Sequence, residues 1–206
     1  MYIKKIDFER NTNKDFSLII DVRTSEEFNE DHIPGSKNFQ ILNNAQREEV
    51  GKIYIKDRFK ARNIGAQYVT LNISQILKKI NLSKKDKILI YCWRGGLRSQ
   101  SLYIVLKNIG YDVTILEKGY KSYRKYINRF FSDDIHSFDF NVLSGLTGTG
   151  KTFFLKKLSK HFNVLDIETL AKHKGSILGD LPKIKQPKQK KFESNLWGTI
   201  SKFDIG

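Results

Sequence analysis

The sequence is poor in several features that would each define a class of protein. It has 1 cysteine, Cys92, in 206 residues, so no intramolecular disulfide can form and a disulfide-stapled scaffold is excluded. It has 3 prolines, two of them in the basic tail that begins at Lys172, so that tail reads as loop. No apolar run approaches the roughly 18 residues of a membrane span. The opening MYIKKIDFER lacks the apolar core of a signal peptide. No internal repeat is visible. With its lone thiol suited to a reducing compartment, the chain reads as soluble and cytoplasmic, with no membrane partner.

Acidic residues are also scarce. Against 37 Lys and Arg stand 22 Asp and Glu, a formal charge of +15. A surplus of that size favours polyanionic partners, nucleic acid first, through counterion release. A merely solvated lysine-rich surface is the plain alternative, and clustering is the check. The basic residues do cluster, at KSYRKYINR (121–129) and KIKQPKQKK (183–191). In the first, tyrosines alternate with cations, which suits either base stacking or an ordinary amphipathic helix.

What is present reads as alternating strands and helices. DFSLIIDVR (15–23) and KILIYC (87–92) are short apolar runs with the character of buried strands, and DVTILEKG (112–119) is a third. Thr24 with Glu27 three residues on forms a capping box, so a helix starts at TSEEF. NISQILKKI (72–80) puts Ile73, Ile76, Leu77 and Ile80 on one helical face. A helix over 99–109 turns Leu102, Val105, Leu106 and Ile109 inward and stops at Gly110. The alternation predicts an α/β fold with a parallel sheet flanked by helices. Ligands of such sheets bind beyond the carboxyl ends of the strands, where Cys92 and the end of the 15–23 run both fall.

The stretch YCWRGGLRSQS (91–101) therefore holds the one thiol at a strand-to-helix turn. A thiolate is stabilised by nearby cations and by a helix amino terminus. Arg94 and Arg98 offer the first, and the helix opening near Ser99 offers the second. Gly95 and Gly96 let successive N–H groups curl toward an anion over the sulfur. A buried, inert cysteine is the plain reading, but it leaves two glycines and two arginines at the turn unexplained. Cys92 is thus the candidate nucleophile, with Arg94, Gly95, Gly96 and Arg98 as an anion-binding loop.

DVRTSEEFNEDHIPGSKNF, followed by a strand ending in YC-x5-R, resembles a rhodanese domain over nearly all of residues 1–130. In that family the matching cysteine carries a persulfide or related chalcogen adduct. Common single-domain rhodaneses have Cys-x4-Arg; the Cys-x5-Arg loop here is one residue longer and should seat a larger group, such as selenium or a tetrahedral oxyanion. A Cys-x5-Arg phosphatase is the rival, but those usually carry His before the cysteine, where this chain has Tyr91.

A second glycine-rich stretch, GLTGTGKT (145–152), fits G-x4-G-K-[ST], with an apolar run, FNVLSG (140–145), before it and a helix from Lys151 after it. Backbone N–H groups at Gly145, Gly148 and Gly150 would cradle phosphates, Lys151 would reach a terminal phosphate, and Thr152 would bind Mg²⁺. VLDIE (164–168) reads as the next strand, with Asp166 or Glu168 as a candidate acid at its end. No metal site built from side chains alone is predicted. The expected organisation is a rhodanese-like domain over 1–131, a linker over 132–139, and an incomplete P-loop α/β domain over 140–206.

The order rhodanese then P-loop, with VLDIETLAKHKGS and FESNLW, resembles the tRNA 2-selenouridine synthase family through the whole chain. The resemblance implies replacement of sulfur by selenium in a wobble 2-thiouridine of tRNA. It implies selenophosphate as donor and an S-geranylated intermediate made from geranyl diphosphate. Cys92 would be the catalytic nucleophile or selenium carrier, and the phosphate loop would have a diphosphate ligand. Family members continue well beyond the position of Gly206. Two alternatives stand beside this reading: a plain sulfurtransferase acting on a small acceptor, and a non-catalytic tRNA-binding remnant.

Overall fold

Strands covered on both faces need no polar alternation and read as continuous apolar runs. In the computed structural model, β2 (Leu18–Asp21), β4 (Lys87–Tyr91) and β5 (Asp112–Leu116) are buried along almost their whole length. Two-residue strands, β1 (Lys5–Ile6) and β3 (Lys37–Asn38), occupy the edges, where short strands limit unwanted pairing. Among the described residues the sheet has 5 strands in the order β1-β5-β4-β2-β3, all parallel. The structure describes residues 3–9, 12–146, 148–175 and 179–203. They fall into two compact units, Met1–Tyr126 and Ile127–Gly206. The α/β class is that of the first unit, whose core is Leu18, Ile20, Val22, Ile88, Ile90, Val113 and Ile115 against Leu102 and Leu106.

The capping box at Thr24 is formed as the sequence predicts, with both reciprocal bonds present, and opens α1 (Ser25–Glu30). Between β3 and β4 lies a helical hairpin, α2 (Asn44–Lys56) and α3 (Arg58–Leu77). Sequence periodicity shows only its last turns. Ile73 and Ile76 are buried, Leu77 and Ile80 partly so, and the helix runs back 14 residues further than the 72–80 pattern. The rest is hard to see because α2 has no buried residue and so carries no apolar stripe.

Helix α4 (Leu97–Ile109) begins two residues before the expected 99 and stops at Gly110, which is left-handed at φ 107°. Leu102 and Leu106 are fully buried but Ile109 is 56% exposed, so the inward face ends a turn earlier than the pattern implies. The expected strand over 112–119 ends at Leu116, and Gly119 instead opens α5 (Gly119–Ser132). In α5 the tyrosines Tyr120 and Tyr123 are buried while Lys121 and Lys125 are exposed. The tyrosine–cation alternation of 121–129 is therefore an amphipathic helix and not a stacking surface.

The second unit departs most from expectation. Residues 132–139 are not a plain linker, since α5 runs to Ser132 and a 3₁₀ turn covers Asp134–Ser137. Neither FNVLSG (140–145) nor VLDIE (164–168) forms a strand. A strand exists only through ladder partners, and among the described residues none lies beside either segment. Helix α6 (Lys151–Leu158) starts at the expected residue. Ile167 opens a short helix, α7 (Ile167–Ala171), which Asp166 caps through the Thr169 N–H. The tail expected as loop forms α8 (Gln189–Ile200), in which Ser194, Trp197 and Ile200 are buried. Thr147 of GLTGTGKT and Ser176 at the end of VLDIETLAKHKGS lie outside the described residues.

Candidate active site

The parallel register brings the carboxyl ends of β2 and β4 side by side. Asp21 pairs with Tyr91, and the Val22 N–H donates to the Tyr91 carbonyl at 3.0 Å. Cys92 is the first residue beyond β4 and is 4% exposed. Tyr91, where a phosphatase would have His, turns its side chain into the core. Its hydroxyl accepts from the Ile33 N–H at 3.2 Å and contacts the Ser36 hydroxyl at 3.0 Å. Burial, reinforced by the Asp21 charge, raises the Tyr91 phenol well above its ordinary pKa. It is a neutral structural group.

The loop from Cys92 to Gly96 is held from two sides. The first N–H groups of a helix have no intrahelical acceptor, and in α5 they meet this loop. Tyr120 N–H donates to the Cys92 carbonyl at 2.8 Å and Lys121 N–H to the Trp93 carbonyl at 3.1 Å. From α4, the Gln100 side chain donates to the Gly95 carbonyl at 3.3 Å, and Ser99 N–H and Gln100 N–H both reach the Gly96 carbonyl at 3.1 Å. Four carbonyl groups of the loop are thus engaged by the protein, which fixes the loop's course. Gly119, at φ +56°, lies so close that a β-carbon there would run into the Cys92 carbonyl oxygen. Gly95, at φ +68°, would place one 3.0 Å from the Leu116 carbonyl.

The Cys92 sulfur lies 3.3 Å from the Ser99 hydroxyl. Ser99 is fully buried and donates its own proton to the Gly96 carbonyl at 2.9 Å. A thiol therefore donates to Ser99, and a thiolate can instead accept the Ser99 proton after one rotation of the hydroxyl. Ser99 was legible as the seventh residue after Cys92 on the first turn of a helix, but its role depends on the turn geometry.

The two loop arginines part company. Arg94 is exposed and, among the described residues, in no ion pair. Arg98 turns to Glu27 of α1 at 2.9 Å, and Arg47 of α2 approaches the same carboxylate at 3.5 Å. Although partial burial opposes ionisation, the hydrogen bond and charge of Arg98 hold the Glu27 carboxyl below its ordinary range. The structure thus brings Cys92, Arg94, Gly95 and Gly96 together and places Arg98 in an ion chain at the loop's edge.

Beneath the loop is a buried polar cluster that the sequence did not reveal. Arg23, 1% exposed, forms a bidentate bond to Asp21 at 2.6–3.0 Å and donates to the Asp31 carbonyl at 2.7 Å. Its guanidinium carbon sits 3.9 Å from the Tyr120 ring centroid. Tyr120 in turn donates to the Asp31 carboxylate at 2.8 Å. Burial first, then the Asp31 charge, pushes the Tyr120 phenol far above its ordinary pKa. The cluster anchors the start of α5 and so holds Gly119 against Cys92.

In the second unit, Gly148 (φ +86°) and Gly150 (φ +79°) adopt left-handed conformations, and Gly150 caps α6. The Lys151 ammonium bonds the loop's own carbonyls, Gly145 at 2.7 Å and Leu146 at 2.8 Å. Thr152 is exposed on the first turn of α6. Asp166, expected as an acid at a strand end, is spent on capping α7, its carboxylate accepting from Thr169 at 2.8 and 2.9 Å. Glu168 lies within that helix. Among the described residues no three His, Cys, Asp or Glu are grouped to hold a metal, and no helix is long and apolar enough to cross a membrane.

A parallel sheet with a cysteine loop at its carboxyl end defines a class, and the comparisons agree. The chain belongs to the rhodanese-like domain family, whose model matches residues 5–126. Residues 138–204 match the model of the tRNA 2-selenouridine synthase AAA domain. Across both parts the chain is a relative of tRNA 2-selenouridine synthases. It is 35% identical to the one from Shewanella sediminis over 182 residues, covering 86% of this chain and 48% of that one. To the one from Nitrosomonas europaea it is 33% identical, covering 90% and 49%. The chain therefore spans about half the length of these curated relatives. A crystal structure of the N-terminal domain of a protein from Clostridium difficile 630, named for ATP/GTP binding, is 36% identical with a TM-score of 0.54, covering 61% of this chain and 98% of that one.

Proposed function

We propose that this chain takes part in exchanging sulfur for selenium at the wobble 2-thiouridine of tRNA, with Cys92 as nucleophile. The observation that carries the reading is the pairing, on one loop, of a buried sulfur beside Ser99 with an exposed rim at Trp93 and Arg94. Trp93 is 37% exposed although it sits next to Cys92. An exposed aromatic beside a cation is what stacks a splayed-out base and holds its phosphate. The names of the relatives support the choice of RNA and of selenium.

The chemistry balances with the proposed co-substrates. The thiocarbonyl sulfur attacks C1 of geranyl diphosphate and diphosphate leaves. Cys92 thiolate then adds at C2 of the base and expels geranylthiolate. The selenium of selenophosphate displaces Cys92 from C2, and water takes the phosphoryl group from selenium. No electrons are gained or lost overall. Arg94, Gly95 and Gly96 would hold the selenophosphate anion, with Arg98 at the loop's edge. Gly145, Gly148, Gly150 and Lys151 would hold the diphosphate. The residues fit a phosphate-bound Mg²⁺ to the extent of the exposed Thr152 hydroxyl; the ion would offset the charge of the leaving diphosphate.

The test is covalent capture. An anticodon stem-loop carrying S-geranyl-2-thiouridine, incubated with the 206-residue chain, should form a protein–RNA adduct at Cys92 and release geranylthiol. Cys92→Ser should form none while binding the RNA as well as the parent does. Sulfur transfer from thiosulfate to cyanide, with no adduct and no RNA binding, would support a plain sulfurtransferase instead.

A further inference from the structure

The hairpin of α2 and α3 is oddly built for a structural element. Of its residues only Ala61, Ile73 and Ile76 are buried, and none lies in α2. Its base is well anchored. Asn72 donates to the Ile41 carbonyl and to Gln46, both at 2.8 Å, and Tyr68 donates to Glu49 at 2.7 Å. At its tip Ala61 is buried and Asp57 caps α3, accepting the Lys60 N–H at 2.9 Å. No residue of α2 is fully buried and its apolar Val50 and Ile53 are only half-buried, so this helix gains little from the core.

The tip is both basic and aromatic. Lys56, Arg58, Lys60 and Arg62 are exposed, and among the described residues none of them is in an ion pair. Lys52, just below, is already paired with Glu48 at 2.6 Å. The one acid between them, Asp57, is occupied as the cap. Phe59 is 81% and Tyr54 45% exposed, the latter 5.7 Å under the Arg58 guanidinium. Large aromatics left in water among unpaired cations suit a ligand that has phosphates for the cations and π-faces for the rings. A protein partner would call for an apolar patch with few charges at its centre, whereas here Tyr54, Ile55 and Phe59 are interspersed with four cations.

Position adds a second argument. The hairpin's base shares an ion chain with the cysteine loop, Arg47 and Arg98 meeting on Glu27 at 3.5 and 2.9 Å. From Arg47 to the end of α2 is nine residues, about 14 Å of helix. A polyanion seated on the tip thus lies on an element linked, through Glu27, to Arg98 at the edge of the cysteine loop.

We infer that the α2–α3 tip is an RNA-docking surface, in which Lys56, Arg58, Lys60 and Arg62 contact phosphates and Phe59 and Tyr54 stack bases. The identity of the RNA as tRNA rests on the proposed function; the surface itself rests on charge complementarity and exposure. It is distinct from the clusters at 121–129 and 183–191.

The experiment measures binding of the 206-residue chain to bulk tRNA by fluorescence anisotropy at several salt concentrations. Arg58→Gln/Lys60→Gln/Arg62→Gln should weaken binding by about tenfold or more and flatten the salt slope by roughly 0.7–0.9 per lost phosphate contact. Phe59→Ser alone should weaken it by about tenfold with the slope unchanged. Circular dichroism and thermal midpoints close to the parent's would show that both variants fold, and ultraviolet crosslinking should recover RNA on a peptide from 52–62. Parental affinity in both variants overturns the docking surface and leaves the proposed function standing. Hairpin-dependent tRNA binding without the Cys92 adduct sinks the proposed chemistry and leaves the surface. Failure to bind tRNA at low salt, or binding to anionic vesicles or a protein in its place, overturns this inference.

Discussion

Arg98 and Glu27, 71 positions apart in the chain, meet at 2.9 Å at the edge of the cysteine loop. The pair ties the first turn of α4 to α1 and diverts a cation that the sequence aligned with the thiol. Glu27→Gln tests it, because glutamine keeps the capping bond to the Thr24 N–H but loses the charge and one of the two oxygens that face Arg98. At neutral pH the variant should be about 1 kcal/mol less stable. The sign follows from the Glu27 pKa, which is lower folded than unfolded. Its contribution is complete above the ordinary carboxylate pKa of about 4.3 and disappears as pH falls through the folded value. Urea midpoints of parent and variant should therefore differ at pH 7 and converge in acid. Equal midpoints at pH 7 would show the pair to be inert.

Gly119 has no room for a side chain. Gly119→Ala would strain a left-handed residue and press a methyl against the Cys92 carbonyl. The expected cost is about 1–3 kcal/mol, together with a disturbed loop. Both are measurable, as a lowered urea midpoint and as a changed rate of Cys92 alkylation by iodoacetamide. A neutral outcome in both would mean that α5 does not pin the loop.

Asp21 and Arg23 are a buried pair, and removing one partner strands the other. Asp21→Asn should cost about 3–5 kcal/mol, read as a fall in the denaturation midpoint. Replacing both by apolar residues should cost less, because neither partner of the pair is then left buried without the other. If the single variant is as stable as the double, the pair is more hydrated than its 0–1% exposure implies.

Lys151 holds two carbonyls of its own loop, and a diphosphate would compete for the same ammonium. Lys151→Ala should weaken diphosphate binding by about tenfold or more, the worth of one charge-assisted hydrogen bond. Titration with a fluorescent diphosphate analogue gives the comparison. Unchanged affinity would remove Lys151 from the phosphate site.

Much of this protein is local and therefore readable in sequence. Buried parallel strands need continuous apolar runs, so 15–23 and 87–92 announce themselves, and with them the place of Cys92 at a strand end. A capping box spans three residues and a left-handed stop needs one glycine, so Thr24, Glu27 and Gly110 were equally legible. Most of the hairpin α2–α3 was not, since a helix with no fully buried residue, like α2, shows little stripe. Tertiary structure alone decided the rest. It paired Arg98 with Glu27, set Ser99 on the sulfur, seated Gly119 beneath the Cys92 carbonyl and wrapped Arg23 in Asp21, Asp31 and Tyr120. It also left 140–145 and 164–168 out of any ladder. Each of these depends on which distant segment the folded chain brings alongside, and short-range preferences along the sequence carry no record of that.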